Sequence, residues 1–282
     1  MVGIWGANFS VIKLALRDFP QVPFNALRLL LASAVFLIAL AARRRSDDPA
    51  ITRSDWIRLV VLGIVGHLLY QLCFLAGVAR TSVANSSLIF GCTPVAVAIL
   101  STLAGHDRLT WPRWVGAGLS LAGIYAVVGH RAELSATTLV GDLLVFGGML
   151  CWSLYSVTAQ PVLRRHSPMV VTGWSMAIGT AFYLTIAVVP MARTDWASIS
   201  AFSWLLMTAS SLFALALAYM IWYTAVQRVG SARTSVYSNL TPVVAMIVAA
   251  IWLGETITRA QVLGALLIMC GIAVNRLAPV AR

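Results

Sequence analysis

The sequence predicts an all-α membrane protein of ten transmembrane helices, arranged as two five-helix repeats of opposite orientation. Three observations predict it. First, of the 282 residues 60% are apolar and only 10% charged, whereas soluble domains carry about a quarter charged residues; a chain so poor in charge cannot cover a water-facing surface. Second, the apolar residues fall into ten runs, most of them near the roughly 20 residues that a bilayer span needs. Third, the chain resembles itself after a shift of 148 residues.

The runs cover approximately 1–16, 23–42, 56–78, 82–103, 111–129, 139–160, 169–190, 204–226, 232–253 and 261–274. The breaks are short and hold most of the charges. The first and last runs are the shortest and depend on their flanks to span. The first cation is Lys13, so the basic start of a cleavable signal peptide is missing. With the N-terminus placed in the cytoplasm, thirteen Lys and Arg residues fall on the inner side and six on the outer, while Arg28 lies within the second run. Cytoplasmic loops carry the excess of cations, so both termini are expected inside a bacterial inner membrane. Trp56, Trp111, Trp114 and Trp204 end their runs, where indole rings anchor at the interface. The net charge of +11 clusters only at Arg43, Arg44 and Arg45; it reads as a topology signal and not as a nucleic-acid surface.

Cys73, Cys92, Cys151 and Cys270 each lie within an apolar run with no metal-ligand spacing. No metal and no cofactor are expected. There is no Walker motif, so ATP does not drive this chain directly.

The repeat is specific. Residues 78–127 and 226–275 share fourteen identities in fifty pairs, including Arg80 with Arg228, Ser87 with Ser235, Thr93-Pro94 with Thr241-Pro242, Gly116-Ala117 with Gly264-Ala265 and Gly123-Ile124 with Gly271-Ile272. Apolar bias matches Ala and Val by chance; it does not readily match Arg, Pro and Gly in order. Upstream, Trp5 pairs with Trp152 at a shift of 147. Five helices per copy send the second copy into the membrane from the opposite side. The two units are expected at 1–129 and 139–276. Inverted repeats of this kind are typical of secondary transporters, whose substrate sits near the midplane between the copies.

Trp5-Gly6-Ala7-Asn8-Phe9 in the first run resembles the first helix of the EamA proteins, as do Ala26-Leu27-Arg28 in the second and the two Thr-Pro helices, each followed by an acidic residue and a Gly-Ala helix. The resemblance, to this ten-helix family of the drug/metabolite transporter superfamily, covers nearly the whole chain and is greatest to the YddG-type exporters of aromatic amino acids and some cationic drugs. It implies a basket with a central cavity lined by the first, third and fourth helices of each copy, the fifth packing outside. Gly173 and Trp174 stand where the first copy has its arginine region, so the halves are not chemically equivalent.

None of the nine acidic residues falls mid-membrane in these runs, although ion-coupled carriers often hold a carboxylate there. His67 is the only deep titratable candidate, with Gln71 one turn later on the same face; it either carries a proton or is a neutral histidine bonded inside the bundle. The aromatic set is Trp5, Tyr70, Trp152, Tyr155, Trp174, Tyr219, Trp222 and Tyr223, most of it on helices that the resemblance places at the cavity. Aromatic walls stack with ring-bearing substrates or hold an organic cation; the alternative is packing. Asn8, Ser10, Asn85, Ser86, Ser87, Tyr237, Ser238 and Asn239 either bind the polar ends of a zwitterion or join helices by hydrogen bonds. Pro94 and Pro242 leave the carbonyls of Phe90 and Ser238 without their helical donors, as hinges or gates or as static kinks, with Thr93 and Thr241 beside them. Lys13 and Arg28 are expected to snorkel to the outer headgroups, the alternative being a role at the outer mouth. Gly116, Ser120 and Gly123 form a small-residue stripe, serving either internal packing or a homodimer.

The function expected is export of aromatic or hydrophobic amino acids by alternating access, with membrane lipid around the bundle. Substrate-binding candidates are Trp5, Asn8, His67, Tyr70, Gln71, Ser86, Trp152, Tyr155, Tyr219, Trp222, Tyr223 and Asn239. The rivals are an exporter of organic cations or an importer or exchanger of other small metabolites, an intramembrane enzyme, and a channel, for which no ring of pore charges or carbonyl filter is readable. The isolated histidines disfavour the enzyme.

Overall fold

A computed structural model of the chain describes residues 1–42, 49–105, 111, 115–116, 118–119, 122–123 and 136–277. Most of the run at 111–129 lies outside the described residues, as do Ser120 and the side chain of Asn239. The described residues form helices and turns with no strand. We label the helices α1 (Val2–Ala15), α2 (Gln21–Ala42), α3 (Arg53–Arg80), α4 (Val83–Leu103), α5 (Ala136–Thr158), α6 (Pro168–Ala192), α7 (Ala201–Val229), α8 (ending in Thr241–Leu253) and α9 (Arg259–Leu277). Six of these segments, from α2 to α7, are long and apolar enough to cross a membrane. Large apolar side chains such as Ile38, Leu103, Val188 and Ile251 point outward, as a lipid-facing surface requires.

Short polar signals set the helix starts. Thr52 and Asp55 form a reciprocal capping box at α3, satisfying two backbone donors that the first turn leaves free. Ser82, Ser167 and Ser200 cap α4, α6 and α7 in the same one-sided way. Gly230 and Gly254, with φ of 85° and 66°, bracket α8; only glycine takes these turns without Cβ strain.

Four helices depart from regular geometry. Both α3 and α7 contain π-helical stretches, Ile64–Leu69 and Ser210–Leu217. The run at 82–103 is not one continuous helix: Val83–Phe90 ends at Gly91 and Cys92, and Thr93–Leu103 begins anew. Pro94 therefore sits in the first turn of a new helix, where its missing N–H costs nothing. Thr93 Oγ1 donates to the Phe90 carbonyl at 2.6 Å. In α8 the break is a 3-10 turn, Tyr237–Leu240, ahead of Thr241 and Pro242, and the Thr241 hydroxyl has no partner among the described residues.

The packing alternates between halves. Helix α1 packs on α7 and α8, while α5 packs on α3 and α4. Helices α2 and α6 pack on each other, and Ser33 Oγ and Thr180 Oγ1 meet there at 2.8 Å. Glycines permit the close approaches: Gly179 lies against the backbone of Gly63, and Gly66 lies under the ring of Tyr155. Gly123 lies against Gly264 and Ile268 of α9. That member of the small-residue stripe is used inside the fold, not on a free dimer face.

Candidate functional site

A narrow central cleft with a cavity volume of about 50 Å³ lies between the halves. Helix α1 contributes Trp5, Asn8 and Phe9, α3 contributes Tyr70, Gln71 and Phe74, and α5 contributes Trp152; Tyr219 comes from α7 and Arg28 from α2. Phe90 and Thr93 of α4, and Ser238 and Thr241 of α8, close one side.

The wall is a network of aromatic rings. Trp5 and Trp152 meet edge to face with centroids 5.5 Å apart, and Tyr219 meets Trp152 at 5.1 Å. Tyr70 lies 5.4 Å from Trp152, and Phe9, Phe74 and Phe90 continue the wall through centroid distances of 5.3–6.0 Å. Each such pair adds roughly 0.5–1.5 kcal/mol beyond area burial, so the wall is stiff. Trp5 is fixed further by its indole N–H, which donates to the carbonyl of Ala214 in the π-helical stretch of α7 at 3.0 Å. The Asn8 Oδ1 accepts from Ser210 Oγ at 2.5 Å.

Six of the residues expected at the site, Trp5, Asn8, Tyr70, Gln71, Trp152 and Tyr219, line this cleft. Four others stand behind it. His67 is fully buried; its Nε2 is 2.9 Å from the Tyr155 hydroxyl, which is 3.2 Å from Ser175 Oγ. Trp222 backs Trp5 and Trp152 at 5.5 Å from each, and Tyr223 packs on Tyr155 at 5.2 Å. These four shape the wall without touching the space. Ser86 is buried away from the cleft, its hydroxyl without a partner among the described residues. Tyr237 is 62% exposed and does not line the cleft.

Arg28 departs most from expectation. It does not snorkel: it is 1% exposed and lines the cleft. Its Nη1 donates to Asn25 Oδ1 at 3.1 Å, and the guanidinium lies 5.4 Å from the Phe24 ring centre. Nor does Lys13 reach freely outward; it is 3.7 Å from Glu255 and donates to the Thr81 carbonyl. Arg28, Phe9, Phe74, Phe90, Ala214 and Leu215 line the cleft although the sequence reading did not nominate them for substrate binding. All three phenylalanines share helices with residues that it did nominate, Phe90 with Ser86 on α4, and that was the available signal.

Two polar clasps join the halves at opposite ends of the bundle. At one, Asp18 accepts from Ser200 at 2.5 Å and Ser203 at 2.7 Å. At the other, Asp55 is 3.1 Å from His166 Nε2 and 3.4 Å from Arg165 Nη1. Thr52 and Asp55 precede Ser200 and Ser203 by 148 residues. Among the described residues, no group of three or more His, Cys, Asp or Glu could hold a metal.

The sequence model of the EamA-like transporter family matches the chain twice, over residues 1–129 and 139–277. An uncharacterized transporter of Bacillus subtilis, YyaM, is 29% identical over 95% of this chain and 88% of its own length. A probable terminal-alkyne amino-acid exporter of Streptantibioticus cattleyicolor is 25% identical over 96% of this chain and 90% of its own length. A crystal structure that covers 98% of this chain superimposes over 95% of its own length with a TM-score of 0.71 at 22% identity, a likeness of fold.

Proposed function

The chain belongs to the EamA-like transporter family, and from that premise we propose that it is a secondary, ATP-independent carrier exporting aromatic or hydrophobic amino acids. Transport proceeds by alternating access between two inverted five-helix halves, in a bacterial inner membrane with both termini in the cytoplasm. The observation that carries this reading is the aromatic cleft between the halves. Trp5, Tyr70, Trp152 and Tyr219 offer faces and edges to an apolar or ring-bearing side chain. Asn8, Gln71 and Ser238 offer uncharged partners for its polar end. His67, Tyr155, Trp222 and Tyr223 support the wall, and the breaks before Pro94 and Pro242 act as hinges.

Contacts between equivalent residues support the inverted halves. Trp5 touches Trp152, and Ser33 touches Thr180, each pair 147 residues apart. Residues related by a two-fold axis meet each other only where the axis passes. The reciprocal packing of α1 on α7 and α8 and of α5 on α3 and α4 obeys the same axis. So do the π-helical stretches of α3 and α7, and π turns are frequent at functional sites.

The amino-acid class is supported by the relative from Streptantibioticus cattleyicolor, whose name is that of an amino-acid exporter. A buried arginine in the cleft disfavours the rival reading as an exporter of organic cations. The test is flux of radiolabelled tryptophan, phenylalanine and leucine in proteoliposomes, with and without a pH gradient. Saturable aromatic flux is expected. Uphill flux only under a pH gradient would make His67 the coupling residue, and no amino-acid flux at all would overturn the substrate class.

A further inference from the structure

We propose that Arg28 is the carboxylate-binding group of the cleft, so that the carrier selects substrates bearing a free carboxylate next to an apolar body. The inference rests on the cleft being the substrate site.

The side chain is 1% exposed and lines the cleft from α2. Its Nε has no hydrogen-bond partner among the described residues, and no described Asp or Glu forms an ion pair with it. The contacts it has are with neutral groups: Nη1 donates to the Asn25 amide oxygen, and the guanidinium lies over the Phe24 ring. A structural arginine buried in a low-dielectric bundle is normally paired with a carboxylate. Here the groups sharing the cleft with it are phenols, indoles, amides and hydroxyls. Ionisable residues inside a membrane bundle mark substrate pathways, and the planar guanidinium fork matches the two oxygens of a carboxylate.

The same cleft supplies what the rest of such a substrate needs. The ring faces of Trp5, Trp152 and Tyr219 accept an apolar side chain or hold an ammonium over a π surface, and Ser238 and Thr241 present hydroxyls without partners. The second half has no matching cation: Ser175 stands 147 residues after Arg28 and bonds to Tyr155 and His67. The charge is thus one-sided, which fixes the orientation of a zwitterion in the cleft.

The test is ligand-dependent thermal stabilisation of the purified full chain, using matched pairs: tryptophan and tryptophanamide, phenylalanine and phenylalaninamide, leucine and leucinamide. Wild type is expected to bind the acid of a pair at least tenfold more tightly than its amide, a preference lost in R28Q and partly kept in R28K. Should R28Q elute as aggregate in size exclusion, the acid-to-amide ratio on wild type still decides. Equal binding of acid and amide would overturn the role of Arg28 while leaving an aromatic carrier. Binding of leucine alone, dependent on Arg28, would uphold it and remove the aromatic preference proposed above. Binding of none of the acids would overturn it.

Discussion

Two glycines give the strongest test of how the wall is held. A Cβ built on Gly179 lies 2.4 Å from the Gly63 carbonyl oxygen and 2.4 Å from His67 Cβ. Ordinary contacts need about 3.3–3.6 Å, so α6 must retreat from α3 by roughly 1 Å. The clash is with backbone, which has no rotamer to yield. Overpacking of this kind costs about 1–3 kcal/mol, and Gly179→Ala falls at the upper end. Gly66→Ala puts its Cβ 2.4 Å from Tyr155 Cδ2; a ring can tilt, so its cost belongs at the lower end. Gly147→Ala, in the middle of α5 with nothing within 4 Å, is the control and gains up to about 1 kcal/mol of helix propensity. At about 2–4 °C per kcal/mol, thermal unfolding in detergent should rank Gly147→Ala at or above wild type, then Gly66→Ala, then Gly179→Ala lowest by roughly 5–10 °C. Both destabilised variants move the His67–Tyr155 pair and with it the support of Trp152, so substrate affinity should fall as well. Gly179→Ala matching Gly147→Ala in stability would refute the close α3–α6 contact.

Two further predictions concern the wall and the axis. Trp222→Ala removes a fully buried indole that touches Trp5 and Trp152 but not the cleft; thermal unfolding should show a loss near the 3–5 kcal/mol of buried Trp truncations, and Trp222→Phe should recover most of both stability and flux, a recovery not expected of a direct substrate contact. Cysteines replacing Ser33 and Thr180 in a background without the four native cysteines should cross-link readily, since the native oxygens are 2.8 Å apart; flux surviving the cross-link would place the axis at a point that does not open during transport, and flux abolished by it would place a gate there.

What could be read from the sequence follows from what determines each feature. Trp5 and Trp152 were legible because a tryptophan recurs at equivalent positions of two copies, and Tyr219 because it shares a face with Trp222 and Tyr223 on a helix that the resemblance places at the cavity. The membrane-spanning character was legible because hydropathy is additive along a run. Arg28 was not: distance along the run placed it close enough to a helix end to snorkel, and only the packing of α2 against α6 and α7 buries it. Phe9, Phe74 and Phe90 were not separable from lipid-facing phenylalanines, because a phenyl ring suits cleft and bilayer equally. The π-helical stretches carry no residue signature, yet they decide that His67 points to Tyr155 and that the Ala214 carbonyl meets Trp5. Thr93 and Thr241 occupy matching positions, but only Thr93 finds its carbonyl; that difference arises from a 3-10 turn in one copy.

The two clasps make a final prediction about the cycle. Both are made in this structure, which fits the narrowness of the cleft, and the alternating access proposed above requires that one release at a time. They are equivalent in the repeat but not in strength. The Asp55 clasp pairs the carboxylate with the Arg165 guanidinium and bonds it to His166, and the Asp55 and His166 side chains are 2% and 1% exposed; removing one partner of a buried hydrogen-bonded charge costs about 3–5 kcal/mol. The Asp18 clasp is exposed and uses neutral serines, whose hydrogen bonds hold the Asp18 carboxyl below its usual 3.8. A depressed pKa means that this contribution is present above 3.8 and fades only as pH falls below it, so the clasp is intact at neutral pH. Asp55→Asn should therefore open its end strongly, and Asp18→Asn its own end only slightly. Single cysteines at Gln160 and at Lys13, beside the two ends, would be labelled with a maleimide in an otherwise cysteine-free background. Asp55→Asn should raise labelling at position 160 several-fold and lower it at 13. Equal effects of the two substitutions would show that the bundle is held closed elsewhere, and the asymmetry of the clasps would then have no part in setting the resting state.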